Sequence, residues 1–312
     1  MRRWYSNRLI DNTTQAGGYS PAFLFRKHMQ INIGGHLFTV GPGCEQVMAI
    51  VNVTPDSFFA GSRKQSDGEI AAAAEKAVRD GAGIIDLGGY SSRPGAEDIP
   101  ADEELRRLEN GFRVVREAAG AEFPVSVDTF RADVVARLYE MFGAFIVNDI
   151  AAGRLDPEMM PTAGRLGLPY IAMHMRGTPQ TMKSLTDYPA ETGGVTGDVL
   201  RYFARKTAEA RSAGIKDLIL DPGFGFAKSA AQNFELLGRM DSLTVFGLPV
   251  LAGLSRKGMI WRTLGVTPAE ALNGTSVLNW EALRQGASLL RVHDVREAVE
   301  TVKLFRAYTD TE

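Results

Sequence analysis

The chain has 312 residues, 45% of them hydrophobic and 23% charged, which is enough for one large globular domain or two small ones. Its formal net charge of −2 excludes a global electrostatic attraction to nucleic acid or to a membrane surface. Its single cysteine, Cys44, excludes an internal disulfide framework, and no apolar run approaches the roughly 18 residues that span a bilayer. We therefore expect a protein of the reducing cytoplasm that binds neither nucleic acid nor membrane.

The first 30 residues differ in charge from the rest of the chain. They hold five basic residues against one acid, Asp11, and they lack the continuous apolar core of a secretory signal. We interpret residues 1–30 as an N-terminal extension, flexible or part of an over-long start, in preference to an organelle transit peptide. Residues 31–312 are predicted to form a single domain, because no break in composition marks a second one.

Residues 31–40 open that domain with a β-hairpin. Two short alternating runs flank the Gly34-Gly35 pair, and a Gly-Gly pair between such runs is typical of a tight hairpin turn.

A repeated unit then fills the remainder of the chain. Eight apolar runs, each followed by a polar residue, predict eight buried strands: 47–51, 84–87, 125–127, 145–147, 170–173, 218–220, 250–254 and 289–292. Helical patterns lie between them at 69–80, 103–119, 131–142, 156–166, 196–213, 231–240, 268–285 and 295–308. Eight strand-then-helix units predict a (β/α)₈ TIM barrel. A doubly wound open sheet is the alternative, but it usually has fewer strands, and its early Gly-x-Gly-x-x-Gly fingerprint is missing.

The polar residues at the strand ends are the candidate functional residues. In a parallel barrel all strand C-termini meet at one rim, so these side chains should converge there. A single such residue is usually a turn former or a helix cap, as Asp128 before Thr129 would be. Together they offer mixed donors and acceptors suited to a flat polar heterocycle, with cations for an anion. The set is Asn52, Asp128, Asn148, Asp221, Lys257, Arg291 and His293.

Two segments after the first two barrel strands, 52–63 and 88–95, are rich in hydroxyls and glycines, and each carries an arginine. That composition suits a loop folding over a phosphate, although ordinary surface loops are the alternative.

The ordered phrases at these strand ends resemble those of the dihydropteroate synthases of folate biosynthesis. The resemblance runs from about Val47 to the C-terminus. The matching phrases are Asn-Val-Thr-Pro-Asp-Ser-Phe (52–58), Asp-Leu-Gly-Gly (86–89), Ser-Arg-Pro-Gly (92–95), Ser-Val-Asp-Thr (126–129), Val-Asn-Asp-Ile (147–150), Met-His-Met (173–175), Asp-Pro-Gly-Phe-Gly-Phe (221–226), Ser-Arg-Lys (255–257) and Arg-Val-His-Asp (291–294).

The resemblance implies residue roles, by matching position. The pterin ring would be held by Asp128, Asn148, Asp221 and Lys257, and the diphosphate by Ser92, Arg93, Arg291 and His293. The aminobenzoate end would be shaped by Pro94, Phe226, Ser255 and Arg256. Asn52 would contact a Mg²⁺ ion bound to the diphosphate. The expected catalytic residues are Asp128, Asp221 and Lys257.

The resemblance also implies a reaction and an assembly. 6-Hydroxymethyl-7,8-dihydropterin diphosphate would condense with 4-aminobenzoate by a dissociative substitution, in a homodimeric enzyme that sulfonamides inhibit. Mg²⁺ and fixed cations would stabilise the charge growing on the diphosphate, so no side-chain nucleophile is required.

Two positions depart from the family pattern. Ala60 replaces an acid that is common in the first loop, and Tyr90 replaces a frequent glutamate in the second. These changes bear on closure of the loops rather than on the pterin pocket. They keep a non-catalytic pterin-binding paralogue open as an alternative, beside a methyltetrahydrofolate methyltransferase on the same barrel. His174 would either line the pocket or be a structural histidine.

Overall fold

The computed structural model describes residues 28–54, 67–90 and 98–310. Most of the predicted N-terminal extension, Ala60 and the segment with Ser92, Arg93 and Pro94 lie outside these ranges, and the domain boundaries remain predictions. The hairpin is present, with β1 at Met29–Ile33 and β2 at His36–Val40, antiparallel and turning at Gly34-Gly35. No helix in the described ranges is long and apolar enough to cross a membrane.

Eight parallel strands follow and form the barrel, which confirms the predicted TIM fold. They are β3 (Gln46–Asn52), β4 (Ile84–Gly88), β5 (Val125–Asp128), β6 (Ile146–Asp149), β7 (Tyr170–Met173), β8 (Leu218–Asp221), β9 (Leu251–Ala252) and β10 (Leu289–Val292). The neighbour order is β8-β7-β6-β5-β4-β3-β10-β9. A parallel bridge between Leu220 and Val250 joins β8 to β9 and closes the ring.

The helices lie between the strands, as the periodicity predicts, with differences at two places. They are α1 (Asp67–Arg79), α2 (Ala101–Ala119), α3 (Ala132–Phe142), α4 (Met159–Leu166), α5 (Gly194–Ser212), α6 (Ala230–Gly238), α7 (Gly258–Leu264), α8 (Leu272–Arg284) and α9 (Val295–Thr309). The short α7 is not predicted. The helix predicted over 268–285 is split, because Thr267 and Glu270 form a capping box around a separate 3₁₀ turn.

The inside of the barrel changes from apolar to polar along the strands. Its lower layer is aliphatic and packs against Ile31, Ile33 and Val40 of the hairpin, which therefore closes the N-terminal end. The lower-layer strand residues are Met48, Ile84, Ile146, Ile171, Ile219, Leu251 and Leu289. Because side chains alternate along a strand, the residues two positions further on face the same interior. Among them are Asp86, Asn148, Asp221 and Arg291.

Ile31, Ile33 and Val40 of the hairpin cover the N-terminal end of the barrel, and we call them the hairpin plug. Removing side-chain volume from this plug should destabilise the barrel. Ile31 is 2% exposed and belongs to the lower layer, so we expect Ile31→Ala to lower the free energy of unfolding by about 2–5 kcal/mol. Urea denaturation measures this loss. Leu37→Ala is the matched control on the same hairpin, because Leu37 is 61% exposed and its loss should cost at most about 0.5 kcal/mol. Equal losses in the two variants would contradict the prediction that Ile31 stabilises the barrel by packing against its lower layer.

Candidate active site

Arg291 is the centre of a polar group inside the upper barrel. Its Nε donates to Asp86 Oδ2 at 2.6 Å, and its Nη2 donates to Asp128 Oδ2 at 2.8 Å. The Asn148 amide nitrogen lies 3.2 Å from both carboxylate oxygens of Asp86. Strands β4, β5, β6 and β10 are thus joined by one buried network of charge-assisted hydrogen bonds. We call Asp86, Asp128, Asn148, Asp221 and Arg291 the polar ring.

Asp86 is the member of this ring that the analysis of strand ends missed. It lies within β4, not after it, and it is fully buried. The signal was available, because Asp86 is an acid inside an apolar run, two positions beyond the inward-facing Ile84. A buried acid is costly unless a cation or donors pair with it, and here Arg291 and Asn148 do so.

The charges of Asp86, Asp128 and Arg291 shift the pKa values of Asp128 and Arg291. Burial raises the pKa of Asp128 to about 7, an effect that Arg291 opposes and Asp86 reinforces. Burial acts to lower the pKa of Arg291, but Asp86 and Asp128 outweigh it and hold that pKa above its ordinary value. Arg291 therefore stays charged, while Asp128 can change its protonation state near neutral pH.

The turn after β8 brings Asp221 and Lys257 to the same mouth. Asp221 Oδ1 accepts from the backbone N–H of Gly223 at 2.7 Å. Lys257 Nζ donates to the carbonyl of Phe224 and lies 4.8 Å from the centre of the Phe226 ring. Gly225 is required between them, since a Cβ there would lie 3.2 Å from Lys257 Cδ and its φ is +81°.

The charges of Asp221 and Lys257 support each other across this turn. Burial raises the pKa of Asp221, and Lys257 is the main opposing influence. Burial lowers the pKa of Lys257 to about 8, with Asp221 opposing and Arg291 adding to the fall. Arg291 thus acts on Lys257 and on Asp221, so the polar ring and this turn form one electrostatic site.

The segment after β9 and the end of β10 hold the next predicted residues. Ser255 Oγ lies 3.0 Å from Nδ1 of His293 and accepts from the His293 backbone N–H at 3.2 Å. The His293 residue is exposed to solvent. Arg256 has a φ of +54° and its guanidinium makes two bonds to Asp294, at 2.8 and 2.7 Å. The Arg256 side chain is therefore already engaged by Asp294.

Asn52 ends β3 at the same rim. It pairs with Gly88 of β4, and a Cβ at Gly88 would lie 3.0 Å from Asn52 Oδ1. The glycine therefore leaves room for the Asn52 amide. No group of three or more His, Cys, Asp or Glu side chains suited to a metal occurs within the described ranges.

Tyr90, which departs from the family pattern, lies beside the rim. Its ring packs edge-on against Phe130 with centroids 5.1 Å apart, and Arg131 lies 5.5 Å from its centre. Its hydroxyl accepts from Gln180 Nε2 at 3.4 Å. Tyr90 is therefore a packed side chain that leaves the polar ring unchanged.

A cavity of about 380 Å³ lies at the opposite end of the barrel, against the hairpin. Its polar side chains already have partners: His36 pairs with Glu122 at 2.5 Å, and Arg116 donates to the Phe123 carbonyl at 2.8 Å. Catalytic groups of such barrels lie at the C-terminal end of the strands. The polar ring is therefore the candidate active site, and the cavity is not.

The site combines properties that suit a flat polar ring with a charged tail. Asp128, Asn148 and Asp221 offer acceptors and an amide, while Lys257 and Arg291 supply fixed positive charge. These five predicted residues lie together, whereas Ser92 and Arg93 fall outside the described residues. A heterocycle with N–H donors and an attached anion would match both sets of groups.

Comparisons with known proteins agree with this chemistry. The family model described as "Pterin binding enzyme" matches residues 48–293. A dihydropteroate synthase of Escherichia coli is 42% identical over 265 residues, 84% of this chain and 90% of that one. One of Synechocystis is 41% identical over 298 residues, 95% of this chain and 98% of that one.

Solved structures show the same likeness. The Yersinia pestis dihydropteroate synthase in a sulfonamide drug complex is 35% identical, with a TM-score of 0.82 over 91% of this chain and 100% of that chain. The Xanthomonas albilineans dihydropteroate synthase with 4-aminobenzoic acid is 36% identical, with a TM-score of 0.79 over 91% of this chain and 99% of that chain.

Removing the central cation of the site should orphan a buried acid. Arg291→Met leaves Asp86, which is fully buried, without its ion partner, and breaking a buried pair from one side costs about 3–5 kcal/mol. We expect a loss of that size in the free energy of unfolding at pH 7, measured by urea denaturation. The double variant Asp86→Asn, Arg291→Met should recover most of it, because the fully buried position 86 then carries no charge and the remaining acid, Asp128, has a side chain that is 20% exposed to water. The same loss in both variants would refute the pairing.

Proposed function

Because the chain belongs to the dihydropteroate synthase family of pterin-binding enzymes, we propose that its polar ring performs the family reaction. The chain is a transferase of folate biosynthesis. It joins 6-hydroxymethyl-7,8-dihydropterin diphosphate to 4-aminobenzoate and releases diphosphate. One observation carries the assignment of the site: Asp128, Asn148, Asp221, Lys257 and Arg291 share a single barrel mouth.

The pterin ring would lie against the acids and the amide. Asp221 is 6% exposed and Asn148 4% exposed, so a ligand there would be largely shielded from water. The carboxylate of Asp221 would accept hydrogen bonds from ring N–H groups, and the Lys257 ammonium would donate to a ring acceptor. Asp128, with its raised pKa, would complete the recognition. These hydrogen bonds are made strong by burial.

The reaction would proceed through a cation. When the carbon–oxygen bond at the pterin methylene breaks, positive charge develops on the pterin and negative charge on the diphosphate. A negative Asp221 would stabilise the first, while Arg291 and His293 would stabilise the second. The amine of 4-aminobenzoate then attacks the methylene and loses a proton. This dissociative route needs no side-chain nucleophile from the chain.

The Asn52 amide oxygen fits a Mg²⁺ ion shared with the substrate. Mg²⁺ usually keeps several waters and takes one or two protein oxygens beside substrate phosphates. The space that Gly88 leaves beside Asn52 Oδ1 suits such a single ligand. When bound, the ion supplies positive charge that stabilises the leaving diphosphate.

The aminobenzoate end would be formed by Phe226, Ser255 and Arg256. The Phe226 ring faces the Lys257 ammonium at 4.8 Å, so it offers an apolar wall next to the pterin site. Since sulfonamides mimic 4-aminobenzoate, they should compete at this end. Arg256 would contribute from its position against Asp294.

The two alternatives gain no support from these observations. A methyltetrahydrofolate methyltransferase needs no diphosphate site, yet Arg291 and His293 stand at the mouth. A non-catalytic paralogue would be suggested by damage to the pterin residues, and Asp128, Asn148, Asp221 and Lys257 are all in place. Tyr90 is accommodated by Phe130 and Gln180.

We also propose a cytoplasmic homodimer. Three apolar side chains on α8 and α9 are exposed: Val277 at 58%, Leu304 at 66% and Tyr308 at 49%. The ring of Trp280 lies 5.8 Å from that of Tyr308, which extends the patch across both helices. Covering such a patch favours association of two copies. Sedimentation of the protein as a monomer at micromolar concentration would remove this part of the proposal.

The activity predicts a strict requirement for both substrates. We expect diphosphate release when the dihydropterin diphosphate, 4-aminobenzoate and Mg²⁺ are all present, and little when any one is omitted. A coupled diphosphate assay on purified protein measures this. As a control, Asp221→Asn should lose most of the turnover while keeping its thermal unfolding temperature. Absence of diphosphate release under complete conditions would remove the proposed function.

Lys257 predicts an alkaline limit to the reaction. With its pKa lowered to about 8, the ammonium is charged below that pH and loses its charge above it. We therefore expect kcat/KM to fall as pH rises through about 8, because kcat/KM reports groups of the free enzyme. Arginine stays charged throughout this range, so Lys257→Arg should remove or displace the alkaline limb even if its rate is lower. Lys206→Arg, away from the site, should keep it, and an unchanged limb in Lys257→Arg would exclude Lys257 as its source.

A further inference from the structure

Lys228 carries a buried amine that the proposed chemistry does not use. Burial lowers its pKa to about 7, and Asp221 opposes that shift. Lys228 is 8% exposed and closes the turn after β8. Its Nζ donates to the carbonyls of Gly223 at 2.9 Å and Phe226 at 3.1 Å, and to Nδ1 of His174 at 3.0 Å. The His174 carbonyl, 3.5 Å from Nζ, is a fourth and weaker acceptor, so every N–H donor of the amine has a partner. The amine is therefore fully saturated by groups of the protein.

His174 connects Lys228 to Asp198 of helix α5. Because the Asp198 carboxylate can only accept, the ring proton is on Nε2, which donates to Asp198 Oδ2 at 3.1 Å, and Nδ1 accepts from Lys228. Burial, reinforced by Lys228, lowers the pKa of His174 to about 4, so the ring is neutral at pH 7. Arg176 donates to both Asp198 oxygens, at 2.6 and 3.3 Å. Of the two roles considered for His174, lining the pocket or holding the structure, these contacts favour the second, because His174 joins α5 to the turn.

The turn that Lys228 closes has an uncommon backbone. Gly223 and Gly225 have φ values of +68° and +81°, and Ala227 has +51°. An alanine in the left-handed region is unfavourable by itself, so the surrounding structure must hold it there. Both carbonyls that Lys228 binds lie in this turn. Two further side chains assist, since Asn233 accepts from the Gly225 N–H at 2.7 Å and Tyr188 donates to the Ala227 carbonyl at 2.8 Å.

This turn carries both ends of the proposed site. Asp221, at its start, accepts from the Gly223 N–H, and Phe226, near its end, faces Lys257. Lys228 binds the carbonyls of Gly223 and Phe226, so it spans the two points at which pterin and aminobenzoate would meet the turn. No other side chain hydrogen bond described for this turn bridges both carbonyls.

We propose that Lys228 is a positioning residue for substrate binding: with His174 and Asp198 behind it, it holds the turn after β8 so that Asp221 and Phe226 face the barrel mouth. The inference rests on the function proposed above. The alternative is that Lys228 only stabilises the fold. A lysine of that kind would change the fraction of folded enzyme, and so the apparent kcat, without changing KM.

The test compares two buried lysines of nearly equal exposure, Lys228 at 8% and Lys206 at 9%. Lys228→Met removes all three donors but keeps an unbranched side chain. Lys206→Met is the matched control, because Lys206 is 9% exposed and donates to Glu209 on the protein surface. We expect Lys228→Met to raise KM for the dihydropterin diphosphate and to lower kcat/KM about 10- to 100-fold, as loss of a supporting group around a site commonly does. Lys206→Met should leave KM within about twofold of wild type, because the Lys206 ammonium is bonded to Glu209 and makes no hydrogen bond described for the turn after β8.

A second variant covers the case in which Lys228→Met does not fold. His174→Leu removes one acceptor of the Lys228 amine and leaves its bonds to the Gly223 and Phe226 carbonyls in place, so a smaller rise in KM is expected. ¹⁵N spectra of the four imidazoles recorded at about pH 5 provide a signature besides activity. An ordinary imidazole is protonated there, whereas His174, with its pKa lowered to about 4, should show a neutral Nε2–H ring. In Lys228→Met that signal should shift while the other three stay.

The outcomes separate this inference from the proposed function. Unchanged KM in the folded Lys228 variant, or the same change in Lys206→Met, overturns the positioning role. If Lys228→Met does not fold, unchanged KM in His174→Leu overturns it instead. A wild-type protein that releases no diphosphate overturns the proposed function. In that case calorimetric binding of the pterin to both variants still decides whether Lys228 positions the turn.

Discussion

Every second residue of a barrel strand faces the barrel interior, and in the upper layer some of these residues are acids. The structure depends on pairing the negative charge of these buried acids with a cation. The strand positions that carry Ile84, Ile146 and Ile219 in the lower layer carry Asp86, Asn148 and Asp221 one repeat later. The hairpin keeps water from the apolar end, and Arg291 pairs with the acids of the polar end. Such buried acids would be prohibitively costly without that cation.

The site is built largely before any substrate arrives. Arg291 is fixed by two carboxylates, and the turn after β8 is fixed by Lys228, Asn233 and Tyr188. Groups that are already oriented do not have to reorganise as charge develops, and this is how fixed dipoles and charges lower a reaction barrier. The left-handed Ala227 is the local strain that such an arrangement stores.

Charge balance links recognition to chemistry. The three acids Asp86, Asp128 and Asp221 lie close to the two cations Lys257 and Arg291, so negative and positive side chains nearly balance within the described part of the site. Burial pushes the pKa values of Asp128 and Lys257 toward neutrality, to about 7 and about 8. Perturbed values of this kind are typical of functional sites, because groups near neutrality can exchange protons or charge with a ligand at modest cost.

The amino-acid sequence alone determined the barrel, its hairpin and the polar strand ends Asp128, Asn148, Asp221, Lys257 and Arg291, because strand periodicity, the Gly-Gly turn and polar residues after apolar runs are local signals. It could not set helix boundaries such as the split of the helix predicted over 268–285, which depends on the capping box at Thr267. It also missed Asp86 and Lys228, whose roles depend on Arg291, 205 positions from Asp86, and on His174, 54 positions from Lys228. Only the closed barrel decides which acid meets Arg291 and which carbonyls meet Lys228, because burial and pairing are properties of contacts between distant segments.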